Sequence, residues 1–195
     1  MLTFSKMHGI GNDYIYINCF QEKVSDPEKL SVFLSDVRFG VGSDGLVLIL
    51  PSDKADFRMR IFNADGSEAM MCGNATRCIG KYVYDMGMTT KTEISLETNS
   101  GIKYLTLYPG ADGKIESVKV DMGKAILVPK EIPVDSPLDR FIAQPVTVDG
   151  TEYAMTCVSM GNPHAVVFLP EIDSLDLEKI GPSFEHHPLF PDRVN

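Results

Sequence analysis

Residues 57–62 alternate, with Phe57, Met59 and Ile61 set against Arg58 and Arg60, the period of a strand with one face buried. Similar strand-like runs occur at 14–20, 45–50, 93–98, 102–108, 115–120, 144–148, 153–159 and 165–169. Many are separated by turn formers, as at Asn99-Ser100-Gly101 and Asp112-Gly113, which predicts antiparallel hairpins and disfavours an all-parallel sheet. Three helices interrupt the pattern. The first follows Ser25-Asp26-Pro27, an N-cap with Pro behind it, and runs through Leu30, Phe33 and Leu34 towards Val37. The second starts near Asn74: Ala75, Ile79, Tyr82, Val83 and Met86 recur at spacings of 4, 3, 1 and 3 before Gly87 closes it, so it is predicted to lie buried among strands. The third begins near Ser174 and is expected to break at Gly181-Pro182.

Turn residues and Pro129, Pro133 and Pro137 gather over 110–137, which predicts a crossing between two lobes near residue 120, giving domains at 1–120 and 121–195. A faint recurrence fits two similar halves. Met7-His8-Gly9-Ile10-Gly11-Asn12 and Met160-Gly161-Asn162-Pro163-His164 each precede a strand, and Arg60-Ile61-Phe62-Asn63 is echoed by Arg193-Val194-Asn195.

Composition narrows the classes. With 44% hydrophobic and 23% charged residues in 195, neither disorder nor a fibrous repeat fits. A formal charge of −9 gives no basic footprint for nucleic acid or anionic membrane. The longest apolar runs, such as Leu46-Val47-Leu48-Ile49-Leu50, are strand-length, so no membrane span is expected. Met1-Leu2-Thr3-Phe4-Ser5-Lys6 has no apolar signal core, which points to the cytoplasm. Cys19, Cys72, Cys78 and Cys157, with 52, 5 and 78 residues between them, match no paired zinc spacing and read as thiols; no metal site is expected.

The chemistry concentrates in Met71-Cys72-Gly73-Asn74-Ala75-Thr76-Arg77. A Cys immediately before a helix sits near unsatisfied N–H groups and the positive end of the dipole, which favours thiolate chemistry. The backbone of Gly73 and Asn74 could cradle a carboxylate at the same helix end. Cys72 can also be read as one more small buried hydrophobe; the turn residues around it favour the chemical reading. Cys78, inside the helix, and Cys19 and Cys157, within apolar strands, read as core. Asn12, Asn63 and Asn162 are each turn formers by default, yet together such amides suit a substrate carrying both carboxylate and ammonium groups. His164 opens a strand and reads equally as a satisfied strand-end histidine or as a group that tunes a nearby thiol. Gly9-Ile10-Gly11 lacks the third glycine and opens a strand, so no nucleotide site is expected.

These blocks, together with Phe4-Ser5-Lys6-Met7-His8, Gly42-Ser43-Asp44-Gly45, Asn63-Ala64-Asp65-Gly66-Ser67 and Thr98-Asn99-Ser100-Gly101, resemble the diaminopimelate epimerase family over essentially the whole chain. The resemblance implies an α+β fold of two pseudo-symmetric lobes, each a mainly antiparallel β sheet or barrel around a central helix. It implies interconversion of LL- and meso-diaminopimelate in lysine and peptidoglycan precursor biosynthesis, without pyridoxal phosphate, metal or other cofactor, by one cysteine taking the Cα proton while a second delivers one to the opposite face. Cys72 matches the first of that pair, and Gly73 and Asn74 match the carboxylate cradle. Asn12, Asn63, Asn162 and Asn195 match the substrate amides, and His164 the residue that modulates the thiols. Asp44 is followed here by Gly45 where some members carry Gln.

The family's Glu-Arg pair and second Cys-Gly motif lie beyond the position matching Asn195, and neither Cys78 nor Cys157 matches that second Cys. The second lobe is therefore expected to be incomplete and this polypeptide alone inactive. The expected partner is a small-molecule substrate, with no nucleic acid or membrane; a homodimer is compatible with the resemblance. The alternatives are another cofactor-independent isomerase of the same architecture, proline racemase-like or phenazine-type, and a binding lobe without chemistry.

Overall fold

The computed structural model describes residues 2–195 in two compact units, one ending at Met122 and the other running from Gly123 to Asn195. In the first, β1 (Ser5–Gly9) and β2 (Asn12–Asn18) form a hairpin whose turn residues Ile10 and Gly11 both have positive φ, 50° and 88°. Two left-handed residues match the twist of the paired strands. Strand β1 lies outside the expected strand-like runs because Ser5-Lys6-Met7-His8-Gly9 is too polar to show an apolar period; its pairing with β2 makes it a strand.

The sheet continues through β3 (Gly45–Leu50), β4 (Phe57–Asn63), β6 (Glu93–Thr98), β7 (Gly101–Pro109) and β8 (Ile115–Asp121), in the order β1-β2-β3-β4-β6-β7-β8, with the two-residue β5 (Glu68–Ala69) on β4. Most neighbours are antiparallel, but β2 with β3 and β4 with β6 run parallel. A parallel neighbour needs a crossover. Helix α1 (Pro27–Ser35) links the first parallel pair and α2 (Gly73–Asp85) the second.

The period-two pleat explains why β2 and β3 are apolar on both sides. Ile15, Ile17, Leu46, Leu48 and Phe62 pack with Leu34 of α1, whereas Tyr14, Tyr16, Val47, Ile49, Met59 and Ile61 pack with Ala75, Ile79 and Val83 of α2. Helix α2 is buried as its spacing predicts, and its C-cap Met86 is followed by Gly87 at φ 69°. Helix α1 starts as predicted, with Asp26 accepting the Lys29 N–H at 3.2 Å, but stops at Ser35, short of Val37. The reason is Asp36, whose carboxylate accepts the N–H groups of Arg38 and Phe39, both at 2.7 Å, and turns the chain outward.

In the second unit β9 (Gln144–Val148), β10 (Thr151–Ser159) and β11 (Pro163–Val167) form an antiparallel sheet ordered β11-β10-β9. Its core is built from Ile132, Val134, Phe141, Val146, Val148, Met155, Cys157, Phe190 and Val194. Strand β11 ends at Val167, before the exposed Phe168, rather than continuing to Leu169. Helix α3 (Leu177–Glu185) corrects the expected break, because it runs straight through Gly181 and Pro182. Proline removes one helical donor here, but Asp176 caps the start through the Lys179 N–H and the His186 N–H closes the last turn onto the Pro182 carbonyl, so the helix survives.

Candidate active site

The first turn of α2 is the focus of the first unit. Cys72 is its N-cap residue with extended backbone, φ −140° and ψ 117°, and no side chain caps this end. The N–H groups of Gly73 and Asn74 therefore lack intrahelical partners and point outward from the positive end of a 13-residue helix. A side chain at Gly73 would meet nothing nearer than Met122 Cε at 3.7 Å. Packing within the unit does not demand glycine there, so the open approach to the backbone is what glycine provides.

The alternation that buries Tyr14 and Tyr16 against α2 places Asn12, two residues earlier, beside the helix start. Cys72 Sγ donates to Asn12 Oδ1 at 3.5 Å, and Asn74 Nδ2 donates to the same oxygen at 3.4 Å. Asn12 Nδ2 in turn donates to Asp44 Oδ2 at 2.7 Å, which also accepts the Asp13 N–H at 3.0 Å. At the far end, Arg77 Nη2 donates to Asn74 Oδ1. Asp44 and Arg77 thus hold the two amides in fixed orientations around the sulfur. Gly9 brings the hairpin against the helix: a Cβ there would stand 3.1 Å from Asn74 Cβ and 3.2 Å from its carbonyl oxygen. Asn63 lies at the end of β4, opposite Gly45, but its amide donates to Ser67 Oγ at 3.0 Å rather than joining the Asn12 network.

The four cysteines separate by environment. All are free thiols; Cys72 is half-buried and Cys78 and Cys157 are buried. Burial pushes the Cys157 thiol up to about 11 and raises Cys78 as well. Burial also raises Cys19. Tyr14, 6% exposed, lies against Cys72 and Asn12; burial first, then the charges of Cys72 and Asp44, push its phenol up to about 12.

In the second unit, Asn162, His164 and Asn195 come together at the start of β11. His164 Nε2 lies 3.0 Å from Asn162 Oδ1. Asn195 behaves as a short added strand: its N–H and Nδ2 both donate to the Pro163 carbonyl at 3.1 Å, and its carbonyl accepts the Ala165 N–H at 2.8 Å. Among the described residues, no group of three or more His, Cys, Asp or Glu is arranged to hold a metal ion, and no helix is long and apolar enough to cross a membrane.

Within each unit the structure thus gathers the residues singled out in the sequence: Cys72, Gly73, Asn74 and Asn12 in the first, Asn162, His164 and Asn195 in the second. Sequence reasoning missed Tyr14 and the orienting parts played by Asp44 and Arg77. The available signal for Tyr14 was the period-two row Asn12, Tyr14, Tyr16, which had to share whatever face Asn12 occupies.

A family model described as diaminopimelate epimerase matches residues 4–128. The chain is 60% identical over 194 residues to a diaminopimelate epimerase of Acetivibrio thermocellus, 57% over 201 residues to one of Agathobacter rectalis and 55% over 194 residues to one of Methanococcus maripaludis. These alignments take in the whole chain and 69%, 70% and 70% of the relatives' lengths. Among solved structures, it resembles a probable proline racemase from Agrobacterium radiobacter (TM-score 0.65, 18% identity, 93% of this chain and 53% of that one). It also resembles a hydroxyproline epimerase from Agrobacterium vitis (TM-score 0.62, 18% identity, 91% and 52%). At that identity the likeness concerns the fold, which is the α+β architecture described above.

Proposed function

The chain belongs to the diaminopimelate epimerase family and is an isomerase of that type, and from that premise we propose that the first turn of α2 is one half of a two-thiol site acting on diaminopimelate. In this reading Cys72, as thiolate, removes the proton from the reacting Cα and becomes a thiol. The carboxylate on that carbon docks on the N–H groups of Gly73 and Asn74, where the helix end stabilises the charge that develops as the proton leaves. Asn12 and Asn74 offer donors and acceptors to the substrate's polar groups from a frame fixed by Asp44 and Arg77. The family resemblance further assigns substrate amides to Asn63, Asn162 and Asn195 and a thiol-modulating part to His164, and we include those roles in this reading.

The observation that carries this proposal is the position of Cys72, the half-buried thiol at an uncapped helix start, bonded to the Asn12 amide that Asn74 also holds. Inversion requires a proton to reach the opposite face of the carbon, and neither Cys78 nor Cys157 matches the family's second acid–base position. We therefore propose that this 195-residue polypeptide alone gives no net conversion of LL- to meso-diaminopimelate. Four free thiols support a reducing compartment, and we place the protein in the cytoplasm, working without pyridoxal phosphate.

The test is alkylation of Cys72 by iodoacetamide, followed by peptide mass mapping, with and without diaminopimelate. Slower modification of Cys72 in the presence of the amino acid is the expected result. Equal rates would overturn the substrate reading, and turnover by the purified chain would overturn its inactivity.

A further inference from the structure

On the reading of Cys72 as the reacting thiol, the amides beside it have a direction as well as a place. We propose that Asp44 and Arg77 are paired positioning residues: acting from opposite ends, they fix the polarity of an amide relay, so that Asn12 meets the Cys72 sulfur with its carbonyl oxygen and not with its NH2 group.

The relay draws its members from distant parts of the first unit. Arg77 Nη2, one turn into α2, donates to Asn74 Oδ1. Asn74 Nδ2 donates to Asn12 Oδ1 at 3.4 Å, and Asn12 Nδ2 donates to Asp44 Oδ2 at 2.7 Å. Every bond runs the same way, from the cation to the anion. The two ends of an amide have nearly the same shape, so shape alone leaves either orientation open. The terminal partners close that choice, because a guanidinium only donates and an ionised carboxylate only accepts. Asp44 is itself pinned, since the same Oδ2 accepts the Asp13 N–H at 3.0 Å. Turning Asn12 over would set its oxygen 2.7 Å from Asp44 Oδ2 with no hydrogen between them, and its NH2 3.4 Å from that of Asn74 with no acceptor.

The consequence falls on the sulfur. Cys72 Sγ lies 3.5 Å from Asn12 Oδ1, and an oxygen there pairs with S–H but has no hydrogen to offer an ionised sulfur. When the Cα–H bond breaks and the proton passes to Sγ, the new S–H bond finds its acceptor already in place. The relay is doubly secured. With Asp44 removed, Arg77 still holds Asn12 through Asn74; with Arg77 removed, Asp44 still holds it directly.

The experiment reads the Asn12 side-chain amide by NMR in the isotope-labelled 195-residue chain, alongside the rate of Cys72 alkylation by iodoacetamide at pH 8. In the unaltered chain the Asn12 NH2 protons are expected to give stronger nuclear Overhauser contacts to the Asp13 N–H than to the Cys72 β-protons. Asp44→Ala and Arg77→Leu, taken singly, should keep that order and shift alkylation only through the charge each removes, in opposite directions. The double variant removes one charge of each sign, so those shifts offset. It alone should turn the Asn12 NH2 onto Cys72 and quicken alkylation roughly fivefold. Purely additive single effects in the folded double variant overturn the proposal. Should that variant not fold, the reverse order of contacts in the unaltered chain overturns it without any substitution. The orientation is read without substrate, so its failure leaves the diaminopimelate reading standing. Failure of diaminopimelate to protect Cys72 removes that reading and leaves the orientation intact.

Discussion

The mouth and the middle of helix α2 each carry a cysteine, six positions apart, and their surroundings divide the labour. At the mouth, Cys72 meets uncapped backbone N–H groups, the Asn12 amide and a phenol, with polar side chains held in place by Asp44 and Arg77. In the middle, Cys78 meets apolar core and the Tyr16 hydroxyl, and burial raises its thiol. On the proposed reading, the same side chain is a proton carrier at one place and packing at the other. Rank along the helix is what separates them, because only the first turn leaves N–H groups unpaired.

The largest expected effect comes from exchanging the two thiols for hydroxyls. Cys72→Ser should remove the fast-reacting thiol and slow modification of the folded chain at pH 8, since burial raises the three thiols that remain. It should change stability little. Cys78→Ser should do the converse, costing about 1–3 kcal/mol for a buried hydroxyl while Cys72 still reacts at its usual rate. Labelling kinetics and urea unfolding on the two variants would test the division; a slow Cys72 in Cys78→Ser would break it.

Alkaline pH sharpens the contrast between reacting and packing thiols. Cys157 titrates near 9.0 in an unfolded chain and is pushed up to about 11 by burial, so the folded state holds the proton more tightly. Its contribution is fully present below pH 9 and is lost as pH rises towards 11, a loss of roughly 2–3 kcal/mol. Cys78, shifted in the same direction, adds to it. The urea midpoint should fall over that interval, and Cys157→Ala should flatten the fall. An equally steep decline in that variant would assign the effect elsewhere.

The smallest effect is expected at Tyr16, the deeper companion of Tyr14. Its hydroxyl is fully buried without a hydrogen-bond partner among the described residues. Tyr16→Phe removes an unsatisfied polar atom and should raise the unfolding free energy by up to about 1 kcal/mol. It should leave Cys72 alkylation unchanged. Loss of stability would show that the Cys78 thiol is a real partner.

The amino-acid sequence by itself determined what is local or repeated at short range. The period-two runs, the Asp26 start of α1, the buried α2 ending at Gly87 and the place of Cys72 at its head all follow from neighbours within a few residues. The ordered blocks further pointed to the family. Only the tertiary structure decided what depends on strands meeting across long separations. The parallel pairing of β2 with β3 and of β4 with β6 puts α1 and α2 on opposite faces of the sheet. That register brings Asn12 to Cys72 across 60 residues and to Asp44 across 32, and lays the Tyr14 ring over Gly45. Strand β1 and the passage of α3 through Pro182 were hidden for the same reason: local propensity argues against both, and pairing or capping outweighs it. A residue's chemistry is written in the chain, but which other groups face it is fixed by contacts that no short window of sequence contains.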